Sequence, residues 1–372
     1  MSSLRTDELF MARAIALARK GLYGTHPNPM VGAVLVSGGR IIGEGRHREF
    51  GGAHAEINAL AAAKAPARGA TAYVTLEPCS TTGKTGPCTK ALIAAGIKRM
   101  VIGAPEPNPV HYGKTAGILR AAGIEVRTGV LGREARALNP AFNKFMKTGL
   151  PYVTLKAAQS LDGRIADHRG RSRWISSAPA RAETHRLRAE ADAVLAGINT
   201  VLADDPRLNV RGVKVRRQPV VVILDSGLRI PPDARVFGNE RVIIAAVRGV
   251  PERRVRRLER EGVRILLLPR GPRGGVDLKA LLAALGRLGV AHLMVEGGGR
   301  VLGSFISQGL FDRFMLFCCP LLIGGEKAIS SVSWPDGLKL SGGLGIQVKI
   351  RGMRNVGPDI LFELSKTAPR GE

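Results

Sequence analysis

The sequence is short of aromatic rings, of cysteine and of acidic residues. Phe, Trp and Tyr together make up 4% of its 372 residues. So few rings argue against the stacking platforms on which single-stranded nucleic acids lie. No apolar run reaches the roughly 18 residues of a membrane-spanning helix. The first residues, MSSLRTDELFMARAIALARK, lack the unbroken apolar core of a signal peptide. No membrane partner is expected, and the cytoplasm is the default location. Leu9, Phe10, Ala14, Ile15, Leu17 and Ala18 instead fit one face of a helix. No internal repeat or low-complexity tract is present, and no Gly-x-Gly-x-x-Gly follows a predicted strand. The doubly wound dinucleotide fold is therefore not indicated.

Against 30 Asp and Glu stand 56 Lys and Arg, a formal net charge of +26. Such a surplus fits a nucleic-acid footprint or an enzyme that handles phosphorylated substrates. The basic residues are scattered, and the densest stretch, Arg253 to Arg264, alternates with Glu as a solvated helix face does. Small phosphorylated molecules are the expected partners, and nucleic acid is disfavoured.

What is present is a repeated exchange of strand and helix patterns. In the first half MVGAVLV, IIGEGRH, TAYVTLEPC, RMVIGAPEP and IEVRTGV read as strands, with helices at AHAEINALAAAKA, CTKALIAAGI and AGILRAAG. The Gly-Leu-Pro break at 149–151 closes this half, giving domains at 1–148 and 151–367. A second α/β series follows. Its strands are YVTLKAAQS, AVLAGI, PVVVILD, RVIIAAV, RILLLP, AHLMVEGGG, FDRFMLFCCPLLI, LGIQVKIRGMRNVG and DILFELS. Its helices are SAPARAETHRLRAEA, LKALLAALGRLG and VLGSFISQG. Both halves are layered α/β domains.

Of four cysteines, Cys318 and Cys319 lie in an apolar strand-like run and read as core. Cys79 and Cys88 differ. His54-Ala55-Glu56 sits on a predicted helix and is followed by Pro78-Cys79 and Pro87-Cys88. One His and two Cys give zinc three protein ligands and leave the fourth position for water, as catalytic zinc requires. Zinc brings the pKa of that water to about 7. A carboxylate two residues from the His, Glu56, can then shuttle a proton from water to a leaving amine, as in the zinc nucleobase deaminases. A structural zinc site would need a fourth protein ligand, and none is evident nearby.

The spacing departs from the usual Pro-Cys-x-x-Cys, because STTGKTGP separates Cys79 from Cys88. The blocks HPNPMVGAVLV, GEGRH, AHAEINAL, AYVTLEPCSTTGKTGPC and PEPNP resemble the riboflavin-pathway deaminases. The blocks KAAQSLDGRIA, RWISS, LRAEADAVLAGINTVLADDPRLNVR and VEGGG resemble the reductase fused to them. The resemblance spans nearly the entire chain. It implies a cytidine-deaminase-like three-layer domain followed by a dihydrofolate-reductase-like α/β domain, with zinc and NADPH as cofactors and a homodimer or higher homo-oligomer. It also implies zinc ligands His54, Cys79 and Cys88, with Glu56 catalytic and substrate contacts at Asn28, His47, Lys84 and Asn108. In the second half it implies NADPH contacts at Ala158, Trp174, Thr200, Asp204 and Ser226, and substrate contacts at Ser172, Arg188, Leu208, Arg211 and Glu296.

Gly297-Gly298-Gly299, between a predicted strand and a helix, adds backbone amides suited to cofactor phosphates. By itself such a glycine turn serves packing equally well. Lys156 and Asp204 are candidate polar groups near the hydride-transfer centre, and Asp162 reads as a turn residue. Arg188 and Arg211 suit phosphate because guanidinium binds it bidentately. The sequence departs from the family at Thr81, where a His is usual, at Glu106 of Glu-Pro-Asn-Pro, and at Thr115. These changes fall around the expected pyrimidine and phosphate pocket, with His111 a candidate replacement for the loop histidine. Two other readings stay open: one active half only, and an RNA-binding base deaminase, against which the second domain speaks.

Overall fold

A computed structural model describes residues 3–81, 86–109, 112–260, 262–272, 274–334 and 345–367. The chain falls into two compact units, Met1–Gly149 and Leu150–Glu372. No helix among the described residues is long and apolar enough to cross a membrane.

The first unit runs α1 (Ser3–Arg19), β1 (Gly32–Ser37), β2 (Arg40–Arg46), α2 (Ala55–Ala61), β3 (Thr71–Leu76), α3 (Cys88–Ala94), β4 (Arg99–Ala104), α4 (Lys114–Ala121), β5 (Glu125–Thr128), α5 (Gly132–Ala137) and α6 (Pro140–Thr148). The strands form one sheet in the order β2-β1-β3-β4-β5. β1 is antiparallel to β2 and β3, whereas β3, β4 and β5 are parallel. Strand side chains alternate between faces, and both faces are covered here. Val34, Val36, Tyr73, Leu76 and Val101 pack with Met11 and Ala14 of α1 and Ala135 of α5. Ala33, Leu35, Val74, Met100 and Ile102 pack with Ala59 of α2, Leu92 of α3 and Leu119 of α4. Three layers result.

Helix α2 carries the deaminase motif, and the Gly-Glu-Gly of β2 sets its height above the sheet. A β-carbon on Gly43 would stand 2.4 Å from the Ala59 carbonyl oxygen, and one on Gly45 would stand 2.1 Å from that of Ala55. Only glycine allows this approach. α2 is shorter than its apolar pattern predicts, because His54 is extended at its N-cap and the chain turns at Ala62.

The second unit runs β6 (Tyr152–Ser160), β7 (Arg164–Ala166), α7 (Ala178–Ala189), β8 (Ala193–Gly197), α8 (Ile198–Asp204), β9 (Val220–Leu224), β10 (Val242–Val247), α9 (Glu252–Arg260), β11 (Arg264–Leu268), α10 (Leu278–Arg287), β12 (His292–Val295), α11 (Gly299–Ser307), β13 (Arg313–Cys319), β14 (Ile329–Ser330), β15 (Val348–Val356) and β16 (Asp359–Lys366). Nine strands form one sheet, β11-β10-β9-β8-β12-β6-β13-β16-β15, and β14 pairs with β7. From β11 to β13 neighbours are parallel, and the edge turns antiparallel through β16. Leu195 and Val222 face a core with Leu281 of α10 and Phe305 of α11, while Val194 and Val221 face another with Leu187 of α7 and Val201 of α8. The runs are apolar without alternation, as in parallel sheets buried on both faces.

Two boundaries in the second unit, and one element, differ from the sequence pattern. β13 stops at Cys319, before Pro320, which has no N–H to continue a ladder. The predicted strand AHLMVEGGG ends at Val295, and Gly299 already opens α11. Helix α8 has no counterpart among the expected elements.

Candidate active sites

In the first unit three separate elements deliver one cluster. His54 is the N-cap of α2, Cys79 follows the end of β3, and Cys88 is the first residue of α3. His54 Nδ1 lies 3.2 Å from Cys88 Sγ and 3.5 Å from Cys79 Sγ. The three donor atoms all fall within 4.8 Å of one another. Tetrahedral zinc, with bonds of about 2.3 Å to sulfur and about 2.0 Å to nitrogen, sets nitrogen and sulfur roughly 3.5 Å apart, so the set fits the ion. The backbone N–H of Cys88 donates to Cys79 Sγ at 3.3 Å, which locks the two cysteine segments together. The Cys88 thiol hydrogen-bonds to Cys79 and holds the Cys79 sulfur far below the usual thiol range, to about 4. The same bond raises Cys88.

Glu56, in the first turn of α2, is buried. Burial raises its carboxyl above the usual range, and its side chain hydrogen-bonds to Cys88. His47 is buried too and packs edge-on to the His54 ring, with centroids 5.5 Å apart. Its Nδ1 lies 3.1 Å from the Ala53 carbonyl oxygen and its Nε2 3.1 Å from Asn28 Nδ2. With Nδ1–H donating to the carbonyl, Nε2 accepts from the Asn28 amide. Burial lowers His47, so the neutral ring is favoured. Asn28, His47, His54 and Glu56 thus share one neighbourhood. Asn108 stands in a turn where its N–H donates to Glu106 Oε1 at 3.1 Å. Thr81 is exposed, whereas Thr115 is buried with its hydroxyl donating to the Pro78 carbonyl oxygen at 2.8 Å. Lys84 and His111 lie outside the described residues.

In the second unit the candidates gather beyond the C-terminal ends of adjacent parallel strands, where α/β sheets bind ligands. β9 leads to Ser226, β8 to Thr200, and β12 to Glu296 and Gly297-Gly298-Gly299, while β6 carries Lys156 and Ala158. Thr200 Oγ1 lies 3.8 Å from the place of a β-carbon on Gly298. Gly297 is needed for packing, since its β-carbon would meet Val301 Cβ at 2.4 Å.

Arg188 of α7 forms a two-pronged ion pair with Glu296, Nε to Oε1 at 2.5 Å and Nη2 to Oε2 at 2.9 Å. Its Nη1 donates to the Asn209 carbonyl oxygen at 2.9 Å. The pair is 11% and 10% exposed, so Arg188 is not the surface charge that composition alone suggests. Burial opposes ionisation of Glu296, yet Arg188 outweighs it and holds the carboxyl below its usual range. Burial lowers the Lys156 ammonium, and the Glu296 carboxylate partly offsets this.

Arg211 is exposed beside this group. Its N–H donates to His185 Nδ1 at 3.1 Å. Burial, with Arg188 and Arg211 alongside, pulls His185 down to about 4, which keeps the ring an acceptor. Leu208 is buried in the same loop. Ser172 Oγ donates to Asp204 Oδ1 at 3.3 Å. Trp174 is 69% exposed and lies under the Arg181 guanidinium, 4.4 Å from the ring centroid. Asp162 accepts from Ser160 Oγ and from the Ile323 and Gly324 N–H groups, which makes it a turn residue.

Residues 4–104 match the cytidine and deoxycytidylate deaminase zinc-binding region, and residues 151–362 match the RibD C-terminal domain. The riboflavin biosynthesis protein RibD of Aquifex aeolicus is 43% identical over 361 residues, covering 96% of this chain and 97% of that protein. The protein of the same name from Escherichia coli K12 is 41% identical over 370 residues, 96% and 99% of the two chains. This chain belongs to the RibD family. The structure of Acinetobacter baumannii RibD superposes with a TM-score of 0.88 at 38% identity, over 98% of this chain and 100% of that one. A diaminohydroxyphosphoribosylaminopyrimidine deaminase/5-amino-6-(5-phosphoribosylamino)uracil reductase from Thermotoga maritima gives 0.85 at 37% identity, over 98% and 99%. As a RibD protein the chain is a bifunctional deaminase and reductase of riboflavin biosynthesis, with a zinc-binding deaminase domain and a reductase domain that implies a nicotinamide cofactor.

Two residues of these sites escaped the sequence reading. His185 gave no signal beyond its place on α7, one turn before Arg188. Glu77 gave a faint one, as a carboxylate at the end of an otherwise apolar strand.

Proposed function

We propose that residues 1–148 deaminate 2,5-diamino-6-ribosylamino-4(3H)-pyrimidinone 5′-phosphate, and that residues 151–367 reduce the resulting 5-amino-6-(5-phosphoribosylamino)uracil with NADPH. The observation that carries the reading is the convergence of His54 Nδ1, Cys79 Sγ and Cys88 Sγ beside the buried Glu56. Zinc held by these three atoms supplies Lewis acidity that brings a water's pKa to about 7. Glu56 takes a proton from the attacking water and passes it to the departing amino group. Ammonia leaves, and the ring carbon keeps the water oxygen. Asn28 and His47 are assigned to the pyrimidine, with neutral His47 holding the Asn28 amide so that its carboxamide oxygen can face the ring. Asn108 is assigned to the substrate as well, and Lys84 to its phosphate.

In the second step the ribosylamine opens to an imine at C1, and NADPH bound in this unit would supply the hydride that reduces C1 to give the ribityl amine. Ala158, Trp174, Thr200, Asp204, Ser226 and Gly297 to Gly299 are assigned to the cofactor. Lys156, Ser172, Arg188, Leu208, Arg211 and Glu296 are assigned to the substrate. Lys156 is the group suited to deliver the balancing proton. With Arg188 engaged by Glu296 and Asn209, exposed Arg211 is the better phosphate anchor. A cytoplasmic location suits both soluble substrates.

The test is NADPH absorbance after adding the diaminopyrimidine ribosyl phosphate to zinc-loaded protein. Oxidation that depends on Glu56 is expected. Accumulated uracil without oxidation would remove the second step from the reading, and no product at all would remove both.

A further inference from the structure

Helix α4 begins without a cap of its own. Its N-cap is Gly113, in the left-handed region at φ 70°, and no side chain nearby in sequence bonds its first amides. The first turn of a helix leaves such N–H groups without intrahelical partners, and a buried start needs them satisfied. Here the acceptor comes from far away in sequence. Glu77 Oε2 accepts from the Gly113 N–H at 3.3 Å, and Oε1 accepts from the Thr115 N–H at 3.2 Å. A carboxylate placed there also faces the positive end of the helix dipole.

The same carboxylate holds the other end of the loop that leads into α4. The Glu106 N–H donates to Glu77 Oε2 at 3.0 Å. Amides on both sides of the 106–113 loop therefore converge on one side chain, which is 6% exposed. A second tie runs alongside, from the Thr115 hydroxyl to the Pro78 carbonyl oxygen at 2.8 Å. Glu77 is itself fixed, since its N–H donates to the Ala104 carbonyl oxygen at 2.9 Å at the end of β4. Pro78 and Cys79 follow directly in the chain.

We infer that Glu77 is a positioning residue of the deaminase: its carboxylate closes the neck of the 106–113 loop and fixes Asn108 relative to the Cys79 segment. The inference rests on the reading of Asn108 as a substrate contact. It also gives a physical role to two positions at which the chain departs from its family. Thr115 ties α4 to Pro78, and Glu106 offers Oε1 to the Asn108 N–H. Both act within the loop's own scaffold.

Glu77→Gln is the informative substitution. An amide offers a single acceptor oxygen, so at least one of the three N–H donors would face an NH2 group. Hydrogen exchange followed by peptide is expected to accelerate across 105–116 and to stay unchanged in the second unit. Zinc content is expected to hold. Deaminase KM should rise about tenfold or more while kcat stays within about threefold. Reduction of the uracil, catalysed by the other unit, reports that the chain is folded.

Unchanged exchange together with unchanged KM would overturn the inference. So would loss of zinc along with kcat, which would make Glu77 a support of the metal ligands instead. If Glu77→Gln does not fold, Thr115→Val removes only the parallel tie, and the same rise in KM, smaller in size, is expected. If the wild-type chain does not deaminate the diaminopyrimidine, the functional reading fails, and the exchange data still decide whether Glu77 holds the loop.

Discussion

Gly45 lies so close to Ala55 that an added β-carbon would come within 2.1 Å of the Ala55 carbonyl oxygen. The atom it would meet is backbone, so no rotamer change relieves the clash. Gly45→Ala should push α2 off β2 and displace His54 and Glu56 together. The expected outcome is a destabilised first unit, by about 1–3 kcal/mol as for overpacked cores, and loss of most deaminase activity. Reduction of supplied uracil should persist. Thermal unfolding and the two separate assays check this, and a variant with full deamination would show that the helix can shift without harm.

Cys88→Ser removes one of the two sulfurs facing His54 Nδ1. Zinc should fall from about one per chain to near zero, with deamination lost. Glu56→Gln should instead keep its zinc and lose about 10²–10⁴ in kcat, because it removes proton transfer without touching a ligand. Metal analysis beside the kinetics separates the two. Equal zinc loss in both variants would mean that Glu56 supports the metal rather than the proton.

Breaking the Arg188–Glu296 pair from one side strands a cation. Glu296→Gln leaves Arg188 and Lys156 without their shared carboxylate, and removing one partner of a buried pair costs about 3–5 kcal/mol. The double change Arg188→Met with Glu296→Leu should regain most of that stability and none of the reductase activity. Denaturant unfolding followed beside NADPH oxidation is the check. Recovery of activity in the double variant would exclude both side chains from substrate binding.

Asp7 supplies the pH dependence. It is buried, with oxygens accepting from Arg99, Arg127 and the Tyr73 hydroxyl. The Arg99 bond, foremost, holds its carboxyl below the usual range despite burial. A depressed carboxyl stabilises the fold above its unfolded pKa of about 3.9, and the gain is lost as pH falls through the lower folded value. Asp7→Asn should therefore cost about 1–3 kcal/mol at neutral pH. The gap to wild type should close below roughly pH 4. A gap that does not change with pH would mean packing, not charge, is what the substitution disturbs.

The deaminase motif was legible because its chemistry is local: His54 and Glu56 share one helix start, and each cysteine follows a proline. The strands were legible as apolar runs, though the runs overshot wherever Pro320 or the helix start at Gly298 cut them short. Partnerships between distant positions were not legible. Glu296 meets Arg188 across 108 positions and Thr115 meets Glu77 across 38, and no periodicity encodes either. Helix α8 was missed for a different reason. It is seven residues long, follows β8 without a linker and begins on Gly197, which provides no side-chain cap.

The covered faces of the two sheets bear on the net charge of +26. Strands β1, β8, β9 and β10 hold no charged residue at all, because both of their faces are core. β4 admits Arg99 only at its first position, against Asp7. The cations are thereby driven onto helices, loops and sheet edges, such as the four outer arginines of α9 at 253, 254, 256 and 257. The result is a surface with a net surplus of positive charge. Such molecules repel one another at low ionic strength, and they lose that repulsion once added salt brings the screening length to about 8–10 Å.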